Sequence, residues 1–148
     1  MKPDIPVSDV AQSIRLRTPV GSDARGAKGL KLSLESVLGG AVVLHCEGQV
    51  LSGRDVHALT GLISEVLPSA GWMVVNLAGV QALDSGALGE LVLTHMWAEA
   101  AGYGLSLASP SAAVLGLFES ANLVSILDVH ESVNAAIAAT HRGEARPA

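Results

Sequence analysis

The residues best placed to do chemistry are Asp84, Ser85 and Gly86, which follow an apolar run over residues 72–80. Such a run bounded by glycines is typical of a buried strand, and the residues after Asp84 are predicted to begin a helix. Ser85 would then lie where free backbone N–H groups and the positive end of the helix dipole favour an anion. Asp84 or Ser85 is expected to cap this helix, while Gly86 and Gly89 would let another backbone approach closely.

The sequence around Ser85 lacks the patterns of known catalytic sites. Leu83 and Ala87 stand where the serine-hydrolase motif G-x-S-x-G needs glycines. Lysine does not occur after Lys31, so there is no phosphate-binding loop of the G-x-x-x-x-G-K-[ST] type. Asp84 has no second carboxylate or histidine at a useful spacing, and no Cys/His set has metal-site spacing. We therefore expect no catalytic residue, cofactor or metal, and without further evidence Ser85 would be interpreted only as a helix cap.

The elements that must position this loop are predicted from hydrophobic periodicity. The segments KLSLESV and AVVLHCEG predict two strands joined at Gly39-Gly40. The order of the remaining patterns is α-β-α-β-α, which predicts an α/β domain with a partly parallel sheet. The first predicted helix runs from a Ser52-x-x-Asp55 cap to Pro68, and a strand over 72–80 follows it. The second helix covers 86–101, with Leu88, Leu91, Val92 and Met96 inward. The remaining predicted elements are a strand over 104–108, a helix capped by Ser109-Pro110, a strand over 124–129 and a last helix from Glu131.

Length and charge indicate one domain with two extensions. The 148 residues fit a single domain, which we place at 32–141 between a flexible extension over 1–31 and a tail over 142–148. Residues 32–141 contain ten Asp or Glu but only one Lys or Arg, Arg54, which gives 1 − 10 = −9. A domain this acidic repels phosphate backbones, so nucleic acid is excluded as the expected partner.

The remaining composition indicates a reducing compartment. Cys46 is the one cysteine and cannot form an internal disulfide, and we interpret it as a buried strand residue. The first residues lack the apolar stretch of a signal peptide, and no run has the length of a membrane span. We expect a soluble, cytoplasmic protein that does not insert into a membrane.

From about Leu32 to Thr140 the sequence resembles the STAS family. The apolar strand followed by Asp84-Ser85-Gly86-Ala87-Leu88-Gly89 looks like that family's signature strand and loop. Further matches are the Glu47-Gly48 turn, Ala100-Ala101-Gly102, the L-F-x-x-x-x-L pattern of Leu117, Phe118 and Leu123, then Ile126 and Glu131-Ser132-x-x-Ala135-Ala136. The resemblance implies a STAS-type single domain, with a mixed sheet of four to five strands packed with about four helices.

The resemblance also implies a function, that of a bacterial anti-sigma factor antagonist. In such proteins the serine after the Asp, here Ser85, is the phosphoacceptor. The unphosphorylated form binds a serine protein kinase that acts as the anti-sigma factor, phosphorylation breaks the complex, and a PP2C-type phosphatase restores it. The surface that the resemblance assigns to this partner comprises Gly48, Gln49, Ser52, Arg54, Asp84, Ser85, Gly86 and Gly89.

Two departures from the family pattern keep a second function open. Leu51 stands where the family has an Asp after the second strand, and Ala87 stands in place of a glycine. Both weaken the expectation of kinase coupling. The alternative is an interaction subunit without a phosphate cycle, in a stressosome-like scaffold or a lipid-transport ABC complex.

Overall fold

The structure, a computed structural model, describes residues 30–37 and 40–142 and contains a five-stranded sheet with four helices in that part. The elements in chain order are β1 (Lys31–Ser36), β2 (Val42–Val50), α1 (Arg54–Ala70), β3 (Trp72–Leu83), α2 (Ser85–Ala101), β4 (Gly104–Ala108), α3 (Ala112–Ser120), β5 (Val129–His130) and α4 (Val133–Arg142). The strand order is β1-β2-β3-β4-β5, with β1 antiparallel to β2 and all other neighbours parallel. The predicted α/β architecture with a mixed sheet is therefore confirmed.

Alternation along the central strands explains why both faces of the sheet are covered. Leu44 and Val75 point into the main core, which packs the sheet against α1, α2 and α3. Their neighbours Val43 and Val74 point to the opposite face, where Ala136 of α4 covers them. Strands buried on both faces read as continuous apolar runs, which is the pattern of residues 72–80.

The described core begins at Leu30, whose side chain is only 1% exposed. This residue lies within the segment that the sequence assigned to the N-terminal extension. Lys31, the last residue of that predicted extension, begins β1. Residues 1–29 lie outside the described residues, as do residues 143–148 of the predicted tail.

Two predicted details of the helices were wrong for local reasons. Pro68 does not end α1, which continues through Pro68 to Ala70 before Gly71 closes it in a left-handed conformation. Ser109 does not cap α3, because it adopts a left-handed φ of 57° and its N–H bonds to His130 of β5. Ser111 caps this helix instead, by accepting the N–H of Val114.

Two further predictions fail because the sequence pattern was ambiguous. Met96 was expected to point inward, but 55% of it is exposed. Residues 124–128 form turns rather than a strand, and β5 consists of Val129 and His130 alone. Leu88 and Leu91 are buried as predicted.

Candidate functional site

The candidate site lies where β2 and β3 end side by side. The two strands are parallel, and Val50 is the register partner of Leu83. The loop before α1 and the loop before α2 therefore leave the same edge of the sheet. This arrangement brings Ser52 beside Asp84 and Gly86, although 32 residues separate Ser52 from Asp84 in the chain.

Asp84 holds these two loops together. Its Oδ1 accepts the N–H of Ala87 at 2.8 Å, so Asp84 is the N-cap of α2. The same carboxylate accepts the N–H of Ser52, at 3.1 Å to Oδ1 and 3.0 Å to Oδ2. The Ser52 hydroxyl donates a further bond to Oδ2 at 3.1 Å. One carboxylate thus caps a helix and fixes the neighbouring loop.

The sequence predicted a cap at Ser52 as well, and that prediction was wrong. Helix α1 begins at Arg54, its N-cap is Gly53, and no side chain caps it. The Asp55 carboxylate instead accepts the backbone N–H of Leu51 at 3.2 Å. Ser52 is turned towards Asp84 because a charged acceptor is available there.

Gly86 permits the close approach of the two loops. A Cβ on this residue would lie 2.6 Å from the Ser52 Cβ and 3.1 Å from its Oγ. Real Cβ atoms essentially never make a contact as short as 2.6 Å, so position 86 needs glycine while Ser52 keeps its place. The sequence predicted the close approach of another backbone at Gly86, whereas the group that approaches within the described residues is the Ser52 side chain.

Ser85 is the first residue of α2, and its side chain has none of these structural duties. The residue is exposed, and within residues 30–37 and 40–142 nothing hydrogen-bonds to its hydroxyl. Two other serines at helix starts differ, since Ser111 accepts the N–H of Val114 and Ser132 accepts the N–H of Ala135. Capping is therefore assigned to Asp84, and the Ser85 hydroxyl makes no hydrogen bond to the described part of the chain.

The electrostatic character of the site is acidic. Hydrogen bonds from the backbone N–H of Ser52 and then from that of Ala87 lower the pKa of the Asp84 carboxyl from its ordinary value. Glu90 lies one turn further along α2, with its Oε2 3.9 Å from the His57 Nε2 of α1. Arg54 is exposed beside the loop and forms no ion pair with any other described residue.

Comparison with known proteins identifies the family. The sequence of residues 35–136 matches the STAS domain family. The chain belongs to the STAS domain family. The described β1, β2, β3, β4 and β5 with α1, α2, α3 and α4 are the elements of that domain, and Asp84 and Ser85 lie between its third strand and second helix.

Solved structures share this STAS fold at low sequence identity. An anti-sigma factor antagonist from Mycobacterium paratuberculosis has a TM-score of 0.69 at 18% identity, covering 78% of this chain and 97% of that one. The antagonist SpoIIAA in its unphosphorylated form has a TM-score of 0.60 at 22% identity, with coverage of 76% and 96%. The Bacillus protein SpoIIAA in its phosphorylated form gives 0.57 at 21%, with coverage of 74% and 98%. No curated protein sequence matches the chain.

The other predicted surface residues of this STAS domain lie around the same edge. Gly48 has a φ of 115° beside an irregularity in the pairing of β2 with β3, and Gln49 next to it is exposed. Gly89 is exposed, and nothing lies within 4 Å of the position that a Cβ would occupy there. No other backbone of the described residues therefore approaches Gly89 closely. Their role in binding a partner stays a prediction.

A second polar cluster of the STAS domain escaped the sequence analysis. The His45 Nε2 lies 2.7 Å from the Glu35 Oε1, and the His45 Nδ1 lies 2.9 Å from the Asn76 Nδ2. These groups line an open hollow of about 480 Å³ on the sheet face, away from Ser85. The sequence alone does not indicate this cluster, because the register that brings residues of three strands together cannot be read from their spacing.

Two general features of the described part bear on binding. In residues 30–37 and 40–142 no helix is both long and apolar enough to cross a membrane. Over the same ranges, no three His, Cys, Asp or Glu side chains are grouped so that they could hold a metal ion.

Proposed function

We propose that this STAS domain is an anti-sigma factor antagonist that binds a serine kinase-type anti-sigma factor and is switched off by phosphorylation of Ser85. The observation that carries the proposal is the exposed Ser85 hydroxyl at the start of α2, which has no hydrogen-bond partner among residues 30–37 and 40–142 and follows an Asp that already caps the helix. Phosphorylation of a serine that caps its own helix would have to rearrange the capping bond. Ser85 makes no such bond to the described residues, so a phosphate there need not disturb the start of α2.

The expected effect of phosphate on Ser85 is local to the binding surface. A phosphoserine adds about −1.5 to −2 charge, which the N-terminal end of a helix tolerates. Few positive side chains in the domain could neutralise this phosphate charge, because Arg54 is the only Lys or Arg between residues 32 and 141. The adjacent Asp84 carboxylate is itself negative. The domain should therefore keep its fold, and the added charge should act against a docked partner.

The partner is expected to present a basic or apolar surface to this edge of the domain. The surface is the predicted set Gly48, Gln49, Ser52, Arg54, Asp84, Ser85, Gly86 and Gly89. The net charge of −9 over residues 32–141 attracts a cationic surface and raises the association rate at low salt. The solved neighbour SpoIIAA, an anti-sigma factor antagonist, has both an unphosphorylated and a phosphorylated form, which is the kind of switch proposed for this chain. A PP2C-type phosphatase would reverse the modification in the cytoplasm, and the STAS domain itself would act as a regulator rather than as an enzyme.

Binding measurements on three variants test the proposal. Ser85→Ala should bind the anti-sigma factor that co-purifies from the native host as tightly as the parent. Ser85→Glu should fold normally but lose about 3–5 kcal/mol of binding free energy, because it leaves an uncompensated charge buried in the interface. The matched control is Ser125→Glu, which adds the same charge at an exposed turn before β5, at the opposite end of the sheet from Ser85.

The assay is titration calorimetry, together with mass spectrometry of the protein from its native host. If Ser85→Glu binds as tightly as the parent, phosphate on Ser85 does not control the complex. Equal losses for Ser85→Glu and Ser125→Glu would indicate a general charge effect rather than a local one.

One observation favours a second function, a fixed subunit without a phosphate cycle. Leu51 stands in the family's Asp position, and 38% of this apolar residue is exposed at the same edge of the sheet. An exposed apolar side chain suits a permanent interface in a stressosome-like scaffold or a lipid-transport ABC complex. Co-purification separates the two functions, since a kinase-fold partner supports the first and a large assembly or a transport ATPase supports the second.

A further inference from the structure

The outward face of α2 is apolar and has no cover within the described residues. Leu93 is 63% exposed, Met96 55% and Trp97 38%, and together they form one stripe at helical spacing. We call these three residues the α2 stripe. The Trp97 ring also packs against the Tyr103 ring, with centroids 5.6 Å apart.

Helix α1 shows how an exposed helix face of this domain is otherwise built. Both helices have 17 residues and both bury one face against the sheet. The exposed residues of α1 are Arg54, His57, Gly61, Ser64, Glu65, Pro68 and Ser69. Helix α2 contains only two charged residues, Glu90 and Glu99, and its buried face is mostly apolar as well, with Thr94 and His95 as the polar exceptions. A helix with large apolar residues on two opposite faces normally has both of those faces covered, so the α2 stripe is expected to be an interaction surface.

The surroundings of the α2 stripe define the chemistry of what covers it. Glu90 and Glu99 lie along its two sides, and the described part of the chain is strongly acidic, since residues 30–142 carry 3 Lys or Arg against 10 Asp or Glu, giving 3 − 10 = −7. Helical spacing also puts Gly89 and Ser85 in line with the stripe, towards the start of α2. The occupant should therefore combine apolar side chains with positive charge.

The chain has such a segment outside the described residues. Residues 1–29 contain five Lys or Arg against three Asp, giving 5 − 3 = +2, and no aromatic residue. Val7, Val10 and Ile14 recur at the spacing that gives a helix one apolar side, and Arg15 and Arg17 follow directly. Twenty-nine residues can span about 95 Å when extended, whereas α2 is only about 25 Å long, so reach is not limiting.

We infer that the N-terminal segment of the chain docks on the α2 stripe through Val10 and Ile14, with its arginines facing Glu90 and Glu99. The docking is a property of this chain alone and does not depend on the proposed phosphorylation. Its consequence for regulation does rest on the proposed function. A segment on this face would shield the start of α2 and compete with a partner that binds around Ser85.

Fluorescence of the full-length protein provides the test, because the two tryptophans report on different places. Trp72 is 6% exposed in the core, whereas Trp97 lies in the stripe. The difference between the parent and Trp97→Phe gives the Trp97 signal. The perturbing variant is Val10→Asp/Ile14→Asp, which keeps the whole chain, and unchanged urea midpoints show that the fold is retained.

The expected result is a red shift of Trp97 emission and an acrylamide quenching constant that rises about twofold in Val10→Asp/Ile14→Asp, because a docked aromatic side chain regains its solvent contact. Arg15→Glu/Arg17→Glu should give a smaller change in the same direction, which added salt reproduces in the parent.

Two outcomes would overturn the inference. Identical quenching of Trp97 in the parent and in Val10→Asp/Ile14→Asp, with both monomeric by light scattering, means that the segment does not cover the stripe. A parent of twice the monomer mass, with quenching that depends on protein concentration and not on Val10 and Ile14, means that a second copy covers it.

Discussion

Replacing Gly86 by alanine should loosen the joint between the two loops at the candidate site. The new Cβ would lie 2.6 Å from the Ser52 Cβ, well inside ordinary contact. Alanine in a helix gains about 0.5–1 kcal/mol over glycine, whereas overpacking costs about 1–3 kcal/mol. The difference lies between about 0 and 2.5 kcal/mol, and its middle predicts a net loss of about 1 kcal/mol, or a fall of about 0.5–1 M in the urea midpoint at an ordinary slope.

Gly89 provides the matched control for this experiment. It lies one turn further along α2 and has nothing within 4 Å of the position that its Cβ would occupy. Gly89→Ala should therefore raise the stability by about 0.5–1 kcal/mol. Opposite signs for the same substitution on one helix would show that the approach of Ser52, and not helix propensity, decides the result.

A second substitution tests the cause directly. Ser52→Gly removes the Cβ that Gly86→Ala would meet, so the double variant should be more stable than the sum of the two single changes predicts. Urea unfolding of the four proteins measures this coupling. If Gly86→Ala is as stable as the parent, or if the two changes simply add, the close contact does not constrain position 86.

Three further predictions concern other parts of the domain. The pKa of Asp84 is lowered in the folded state, so its contribution to stability is present above its ordinary pKa and is lost as the pH falls below about 4. Asp84→Asn should flatten this part of the curve of urea midpoint against pH, and an unchanged curve would contradict the assignment. Gly104→Ala places a Cβ 2.1 Å from the Trp72 ring, so it should destabilise the domain by about 3 kcal/mol and shift Trp72 emission, whereas wild-type stability would show that the ring moves freely. Burial raises the pKa of the Cys46 thiol, so a thiol reagent at mildly alkaline pH should label it only as fast as the domain unfolds, and rapid labelling of folded protein would contradict its burial.

Much of the fold was predictable because it depends on local patterns. The strand Gly104–Ala108 was predicted to the residue, and the start of α2 was predicted to within one. The segment over 72–80 read as a buried strand because every residue along it was apolar or small, except Asn76. The strand in fact ends at Leu83, and this end was missed because the polar Gln81 interrupts the apolar run after Val80.

The errors occurred where a distant contact overrides the local pattern. Ser52 followed by Asp55 looks like a cap, yet the partner of Ser52 is Asp84, 32 residues away. The inward face of α2 could not be read in full from periodicity, because large apolar residues lie on both faces and Met96 fits either. The sequence placed Ser85 correctly at the helix start, but it could not decide whether Ser85 or Asp84 makes the cap, because both residue types are good N-caps.

The two outermost strands of the described sheet, β1 and β5, limit how copies of this domain can assemble. One edge is β1, where Lys31 and Glu35 place charges along the strand, and the other is β5, which is only two residues long. Short or charged edges offer a neighbouring strand little to pair with, so they oppose the chain-to-chain sheet extension that leads to fibres. At high concentration, copies of this domain should therefore meet through their helices and loops, and their sheets should stay separate.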